Sequence, residues 1–464
     1  MVEAFHTAST LQTYIKEKVT VQTKVVKFGG SSLADANQFI KVANIIRADE
    51  TRRFVVPSAP GKRFSKDTKV TDMLYACYDV AARGGEFSQM FEEIVARYME
   101  IVRELELPIE DLLTREFSTI RMSFMARAGR DYAASRGEYL NGIILAKYLG
   151  FAFVDAAEVI FFGEDGKLKL KETCNAVRER LDEVGNAVIP GFYGSMPNDT
   201  VKTFSRGGSD ITGSIVAAAV NADLYENWTD VSGFLVCDPR IVPDPKPIRT
   251  ITYRELRELA YMGAGVLHED AIFPVRQAGI PINIKNTNRP DDDGTMIVEN
   301  ATDDSTPYVI TGIAGRKGFV TVTIEKDMMN SELGFGRRVL EAFELNGVSF
   351  EHMPSGIDTM SIIVHKDEFE AKESAIIDAL ENTCSPDKVE IDRDVALLAV
   401  VGRGMKSQRG TAARIFAALA HAKVNVKMID QGSSELNVIV GVTGEDFEES
   451  IKAVYDMFVL SSEK

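Results

Sequence analysis

Apolar residues recur along this chain in two rhythms, and their alternation predicts a layered α/β protein followed by a smaller repeated unit. Lys24-Val-Val-Lys-Phe28 is a β-branched run closed by Gly29-Gly30-Ser31-Ser32, which reads as a strand ending in a tight turn. Phe39, Val42, Ala43, Ile45 and Ile46 then fall at helical spacing, and Phe54-Val-Val56 is a second strand ending at Pro57-Ser58-Ala59-Pro60-Gly61. Strand, polar turn, helix, strand is the pattern of a βαβ unit in a parallel sheet. Residues 61–68 are basic and rich in turn formers, which predicts a mobile loop before a helix near Thr71-Asp72. Spacing from 73 to 124 is mostly helical, with 86–105 one long amphipathic stretch, and Ser135-Arg-Gly-Glu138 is expected to open another helix. Further strands are predicted at 151–154, 187–189, 224–228 and 280–284, and a helix of small apolar residues at 211–220.

Residues 299–307 form a polar, turn-rich junction, and beyond it the units shorten. Strand 319–324, helix 334–345, strands 348–351 and 359–364 and helix 369–380 are followed by 395–401, 410–422, 424–429, 436–442 and 447–458 in the same order. This is a β-α-β-β-α duplication with a period of roughly 75 residues. The second copy lacks the closing strand that 388–391 offers the first, and strand 308–314 is available to supply it, which would insert the first copy into the second. The expected organisation is an extension over 1–23 with one short helix at 11–18, a main domain over 24–298, a linker over 299–307, and two small domains over 308–392 and 393–464.

Composition narrows the partners. The chain has 464 residues, 45% of them hydrophobic, and a net charge of −16, which argues against a nucleic-acid or anionic-membrane surface. Its four cysteines, Cys77, Cys174, Cys237 and Cys384, form no CxxC pair, so zinc and disulfide frameworks are not expected. No apolar run approaches the length of about 18 residues that spans a membrane, and the N-terminus does not read as a secretory signal. A cytoplasmic location follows as the expectation.

Three strings carry candidate chemistry. In Lys27-Phe-Gly-Gly-Ser-Ser32 the glycines let backbone amides approach a phosphate, with Lys27 as a neighbouring cation; a plain strand-to-helix turn gives the same pattern. Ser205-Arg-Gly-Gly-Ser-Asp210 offers an arginine fork for a carboxylate or phosphate, and an acid suited to steering a lysine or holding Mg²⁺ through water; helix capping by Ser209 or Asp210 is the alternative, but the string supplies more than a cap requires. Trp228-Thr-Asp-Val-Ser-Gly233, running on to Asp238-Pro-Arg240, suits a nucleotide, with Arg240 as a phosphate clamp, or else a turn around a buried tryptophan. There is no GxxxxGK[ST] loop and no HRD or DFG string, which excludes P-loop ATPases and protein kinases. His268 is a lone histidine, and no histidines cluster at ligand spacing.

Together these strings, with Leu33 after the first and Gly263-Ala-Gly-Val-Leu-His268 after the third, resemble the amino-acid kinase family and within it the aspartokinases, over residues 24–460. The resemblance implies an open, mainly parallel α/β kinase fold followed by two ferredoxin-like βαββαβ ACT domains. It implies transfer of the γ-phosphoryl of ATP, with Mg²⁺, to the β-carboxylate of L-aspartate. By the same resemblance Lys27 meets the transferred phosphoryl and Asp210 organises lysine and metal. Glu138 and Arg206 hold aspartate, with Ser58, Thr71 and Ser209 near it. Gly29, Gly30, Ser31, Thr229, Asp230, Leu235, Arg240, Gly265 and Val266 fall on nucleotide-contacting positions. Gly265 stands where aspartokinases usually carry a phosphate-contacting lysine, a loss of about 1.5–3 kcal/mol if nothing compensates. Lys62, Lys66 and Lys69 on the basic loop are the candidates to compensate.

The tail, with Gln431-Gly-Ser-Ser-Glu435, resembles paired ACT domains, which in the family mediate dimers or dimers of dimers and bind lysine or threonine. Met329, Ser331, Phe335, Glu351, Ser355 and Asp358 lie where a lysine effector is expected, although a solvated acidic loop reads the same. Two other readings compete: a relative acting on glutamate or another carboxylate or carbamate, and a non-catalytic sensor with a decayed kinase domain.

Overall fold

The computed structural model describes residues 23–205, 207–264, 267, 269–302 and 308–462, so the helix expected at 11–18 lies outside the described residues. Packing divides the chain into two units. The first holds everything described up to Asp230 together with Asp270–Pro290; the second holds Val231–Glu269 and the chain from Asp291 onward. Among the described residues no helix is long and apolar enough to cross a membrane, and the four cysteines are unpaired.

In chain order the strands up to residue 290 are β1 (Lys24–Phe28), β2 (Arg52–Pro57), β3 (Ala152–Phe153), β4 (Ala187–Val188), the hairpin of β5 (Tyr193–Ser195) and β6 (Val201–Thr203), β7 (Leu224–Thr229), β8 (Thr250–Thr252) and β9 (Ile282–Asn286). All but β8 belong to the first unit. Its sheet runs β3-β4-β2-β1-β7-β9, every neighbouring pair parallel. The chain leaves β1 for β2 on one side and returns as β7 on the other. Strand order therefore reverses at β1, and the crevice beyond the carboxyl ends of β1 and β7 is where such sheets hold ligands.

Helix α1 (Ala36–Arg47) starts at Asp35, whose carboxylate accepts the Gln38 amide at 3.0 Å. Its buried Phe39, Val42, Ile45 and Ile46 join a core filled by α2 (Val70–Ala82), α3 (Ser88–Glu104), α4 (Glu110–Met125) and α5 (Arg130–Leu149). Phe91 and Phe124 meet there edge to face at 5.9 Å, and each such ring contributes about 1.5–3 kcal/mol through burial alone. Helix α5 begins at Arg130, after Gly129 turns the chain at φ 110°. Ser135–Glu138 thus sits in its second and third turns instead of opening a helix as the sequence suggested. Helices α6 (Leu170–Val184) and α7 (Gly208–Ala219) complete this unit's named elements.

In the second unit β8 pairs in parallel with β10 (Thr295–Val298). The tail builds one antiparallel sheet from β11 (Gly312–Glu325), β12 (Phe350–His352), β13 (Thr359–His365), β14 (Lys388–Val401), β15 (Met428–Asp430) and β16 (Asn437–Val442), in the order β12-β13-β11-β14-β16-β15. Strands β11 and β14 each run 14 residues and serve both copies of the repeat. Residues 319–325 of β11 pair with β13, while 312–317 lie beside 396–401 of β14, which in turn pair with β16. The register shifts between the two halves near Gly318, whose φ of 92° permits the irregularity. Strand 312–317 thereby completes the second copy, and the first is contained within it. Val320, Val322 and Ile324 alternate onto the face covered by α8 (Phe335–Leu345) and α9 (Glu373–Cys384), where Phe343, Ile376 and Leu380 pack.

Residues 231–269, within the stretch expected as the main domain, pack with this second unit. Glu255, on the helix Tyr253–Tyr261, is completely buried and accepts from the Thr252 amide and hydroxyl at 2.8 Å, the Thr311 hydroxyl at 2.5 Å and Arg403 at 2.8 Å. Asn437 donates to Glu258 at 2.6 Å on the same helix. Burial pushes the Glu255 carboxyl up. The Thr311 hydroxyl, the amides of Thr252 and Arg403 and the Arg403 charge outweigh that and leave it below its ordinary value of 4.5. Removing one partner of such a buried pair costs about 3–5 kcal/mol, and Glu255→Ala is expected to lower second-unit stability by that amount in urea unfolding. Because the folded value is depressed, the contribution is present above the unfolded value and disappears as pH falls through the folded one. Wild-type stability should therefore converge on that of the variant in acid; parallel curves would contradict the assignment.

Candidate active site

Register brings the first chemistry together. The parallel pairing of β1 with β7 sets Lys27 beside Asn227 and Phe28 beside Trp228, whose rings stack at 5.9 Å. Lys27 is 8% exposed, and its Nζ lies 2.6 Å from Oδ1 of Asp210. Asn227 joins them: its Nδ2 donates to Asp210 at 2.9 Å, and its Oδ1 accepts from Lys27 at 3.4 Å. Asp210 occupies the first turn of α7, where a carboxylate also suits the helix dipole. Gly207 makes that turn possible with a left-handed φ of 57°, and Gly208 admits Phe192, whose Cδ2 would stand 2.5 Å from an added Cβ.

Beyond the strand ends opens a cavity of about 570 Å³. The β1 turn contributes Gly29, Gly30 and Ser31; β2 is followed by Ser58, and β7 ends in Thr229 and Asp230. Helices α2 and α5 supply Thr71 and Glu138. The Lys27 ammonium is next to this wall, 3.7 Å from where a Gly29 Cβ would stand. Gly30 and Gly61 pass backbone to backbone, with the Gly61 amide donating to the Gly30 carbonyl at 2.8 Å, and a Cβ on Gly61 would come within 2.5 Å of the Gly30 carbonyl carbon.

Glu138 is 5% exposed, and its buried Oε2 has no hydrogen-bond partner among the described residues. Burial is the main cause that raises its carboxyl to about 8; the Ala59 amide and the Arg136 charge offset this only in part. A carboxylate kept dry and incompletely bonded, yet open to a cavity, is arranged to receive a cationic or donor group. Asn141, three residues along α5, donates to the Ser58 carbonyl at 2.7 Å and fixes the β2 end of the cavity.

Not all expected residues meet here. Arg206, Gly265 and Val266 lie outside the described residues. Ser209 is buried against Gly191, where an added Cβ would stand 2.6 Å away. Leu235 and Arg240 belong to the second unit, and exposed Arg240 is bonded to Asp238 at 2.6 Å. Of the proposed effector residues, Met329 and Phe335 are buried in the helix-covered core. Asp358 accepts the Met328 amide at 3.0 Å, whereas Glu351 sits 3.4 Å from His365 and bonds Tyr261, so the two acids have different neighbours. Ser331 bonds Asn330, and Ser355 bonds the Met353 carbonyl. Sequence reading missed Asn227 and Asn141; a polar residue between Glu226 and Trp228 in a strand otherwise buried was the available signal for the first. Within the loop expected at 61–68, Arg97 hydrogen-bonds the carbonyls of Gly61 and Thr68.

Residues 22–286 match the Amino acid kinase family, and residues 398–458 match the ACT domain. Aspartokinase 3 of Bacillus subtilis is 40% identical over 448 residues, covering 94% of this chain and 98% of its own. The crystal structure of aspartate kinase from Clostridium acetobutylicum, an allosteric enzyme, has 53% sequence identity and a TM-score of 0.87, covering 94% of this chain and all of its own. Escherichia coli aspartokinase III, in complex with aspartate and ADP, shares the fold at 24% identity, with a TM-score of 0.70 over 94% of this chain and 99% of its own. With its glycine turn, its lysine–aspartate pair and its duplicated tail, the chain belongs to the amino acid kinase family, among the aspartokinases.

Proposed function

We propose that this chain transfers the γ-phosphoryl of ATP to the β-carboxylate of L-aspartate, forming 4-phospho-L-aspartate. The observation that carries this reading is the dry Glu138 carboxyl, its Oε2 without a hydrogen-bond partner among the described residues, facing the same cavity as the Gly29–Ser31 turn, beside the Lys27–Asp210 pair. Glu138 receives the α-ammonium of aspartate, and the turn cradles phosphate oxygens. The β-carboxylate is already ionised at neutral pH and attacks the γ-phosphorus without a general base. Lys27, steered by Asp210 and Asn227, meets the charge on the transferring phosphoryl. Among the described residues no three His, Cys, Asp or Glu side chains cluster as a metal cage. Asp210 is the carboxylate that would hold Mg²⁺ arriving with the nucleotide phosphates, whose charge the ion would neutralise. Catalysis is then mainly positioning.

The duplicated tail is read as the regulatory part, with an amino acid, lysine or threonine, as effector and Ser331, Glu351, Ser355 and Asp358 as the candidate polar contacts. A homodimer formed through the duplicated tail accompanies that reading.

Trapping the acyl phosphate with hydroxylamine tests the reaction. Lys27→Ala and Asp210→Asn should each lower kcat for aspartate-dependent hydroxamate formation by about 10²–10³-fold with unchanged circular dichroism. Near-normal rates in both would refute the assignment. The Glu138 carboxyl supplies a second test. Since its free value is raised to about 8 and binding an ammonium needs the charged form, aspartate affinity should rise about tenfold per pH unit from 6 towards 8, with a proton released on binding. Glu138→Gln should bind more weakly with a flat profile. A wild-type profile equally flat would show that Glu138 does not hold the ammonium.

A further inference from the structure

One wall of the cavity is shaped by an arginine that no motif marks. Arg97, on α3, is 4% exposed. Its guanidinium donates to the Thr68 carbonyl at 2.8 Å and to the Gly61 carbonyl, and lies 3.3 Å from the Asp67 carboxylate. A single side chain thus ties both ends of the loop from 61 to 68. Arg63 binds Asp67 a second time, through its amide at 3.0 Å and its Nε at 2.9 Å. The Arg63 hydrogen bond is the main cause that holds the Asp67 carboxyl well below the usual carboxylate range, and the Arg97 charge adds to it.

The consequence falls on the other side of the loop. Gly61 is bonded to Gly30 at 2.8 Å, so the next residue, Lys62, leaves the backbone beside the Gly29–Ser31 turn and lines the same cavity. The charge on Lys27 is already matched by Asp210 at 2.6 Å. Lys62 has the Ser65 carbonyl at 3.5 Å, and no carboxylate within ion-pair distance among the described residues. A lysine of this kind next to a glycine turn is a point charge available to phosphate oxygens.

We propose that Lys62 is a further phosphate-contacting residue of this site, and that Arg97, acting with Asp67, is the positioning residue that holds it there. The proposal rests on the reading of this cavity as the nucleotide phosphate site. It differs from a stabilising role for Arg97 in one measurable respect: the effect of loosening the loop should pass through Lys62.

The test is a double-mutant cycle on the full chain, read as the affinity for the non-hydrolysable analogue AMP-PNP with Mg²⁺ by calorimetry. Lys62→Ala is expected to weaken binding about tenfold and Lys62→Arg to retain most of it. Asp67→Asn, which leaves the buried arginine in place, should weaken binding several-fold in the wild-type background and add nothing in the Lys62→Ala background. Arg97→Lys should behave as Asp67→Asn. Wild-type affinity in either Lys62→Ala or Asp67→Asn would overturn the proposal, and so would effects that multiply in the double variant. If the chain forms no hydroxamate with aspartate while the cycle remains non-additive, the substrate assignment fails and the loop inference stands.

Discussion

A lysine inside a parallel sheet needs a partner for its charge, and here the partner is set by strand register. Pairing β1 with β7 puts Lys27 against Asn227, and the first turn of α7 brings Asp210 to 2.6 Å from the ammonium. Sliding β1 by one residue would send Val26 or Phe28 to that position and turn Lys27 into the apolar core on the other face. The stacked pair Phe28 and Trp228, and the Lys24 ammonium 3.5 Å from buried Glu226, make such a slip costly. Fold and chemistry are therefore coupled at β1. The cavity lies beyond its end because strand order reverses there, and the glycine turn follows because the backbone must leave the sheet at that point.

From that pair outward the site has a division of labour by burial. Lys27 and Asp210 neutralise each other in the absence of substrate, so the pair is stored without an isolated buried charge. Glu138 is treated differently: among the described residues its Oε2 has no hydrogen-bond partner, and burial raises its carboxyl to about 8. On the proposed reading, an aspartate ammonium would supply the missing partner.

Much of this was legible in the sequence, and the reasons for the rest are physical. Strands β1, β2 and β7 and helix α1 were visible because β-branched runs and helical spacing are local signals. Lys27 and Asp210 were marked by motifs, and Glu138 by the family resemblance. Asn227 was not, since its role depends on register with a strand 200 residues away. Arg97 was hidden for the same reason: on an amphipathic helix it looks like one more solvated cation, and only tertiary structure turns it onto the 61–68 loop. The start of α5 was misplaced because Gly129, not a capping side chain, makes the entry. The packing of residues 231–269 with the duplicated tail follows from Glu255 and its contacts with Thr311 and Arg403, none of them close in sequence. The tail itself was readable as a duplication, whereas the shared sheet depends on two strands long enough to serve both copies.

The central claim is that a substrate carboxylate, held in the cavity beyond β1, attacks the γ-phosphorus of ATP. It is tested most directly by L-aspartate labelled with ¹⁸O in its β-carboxylate, incubated with ATP and the protein and then treated with hydroxylamine. Attack by the carboxylate makes one of its oxygens the bridge of the acyl phosphate, and hydroxylamine then cleaves at the acyl carbon. Inorganic phosphate released in that step should carry one ¹⁸O by mass spectrometry. Unlabelled phosphate, formed while ATP is consumed, would contradict the account.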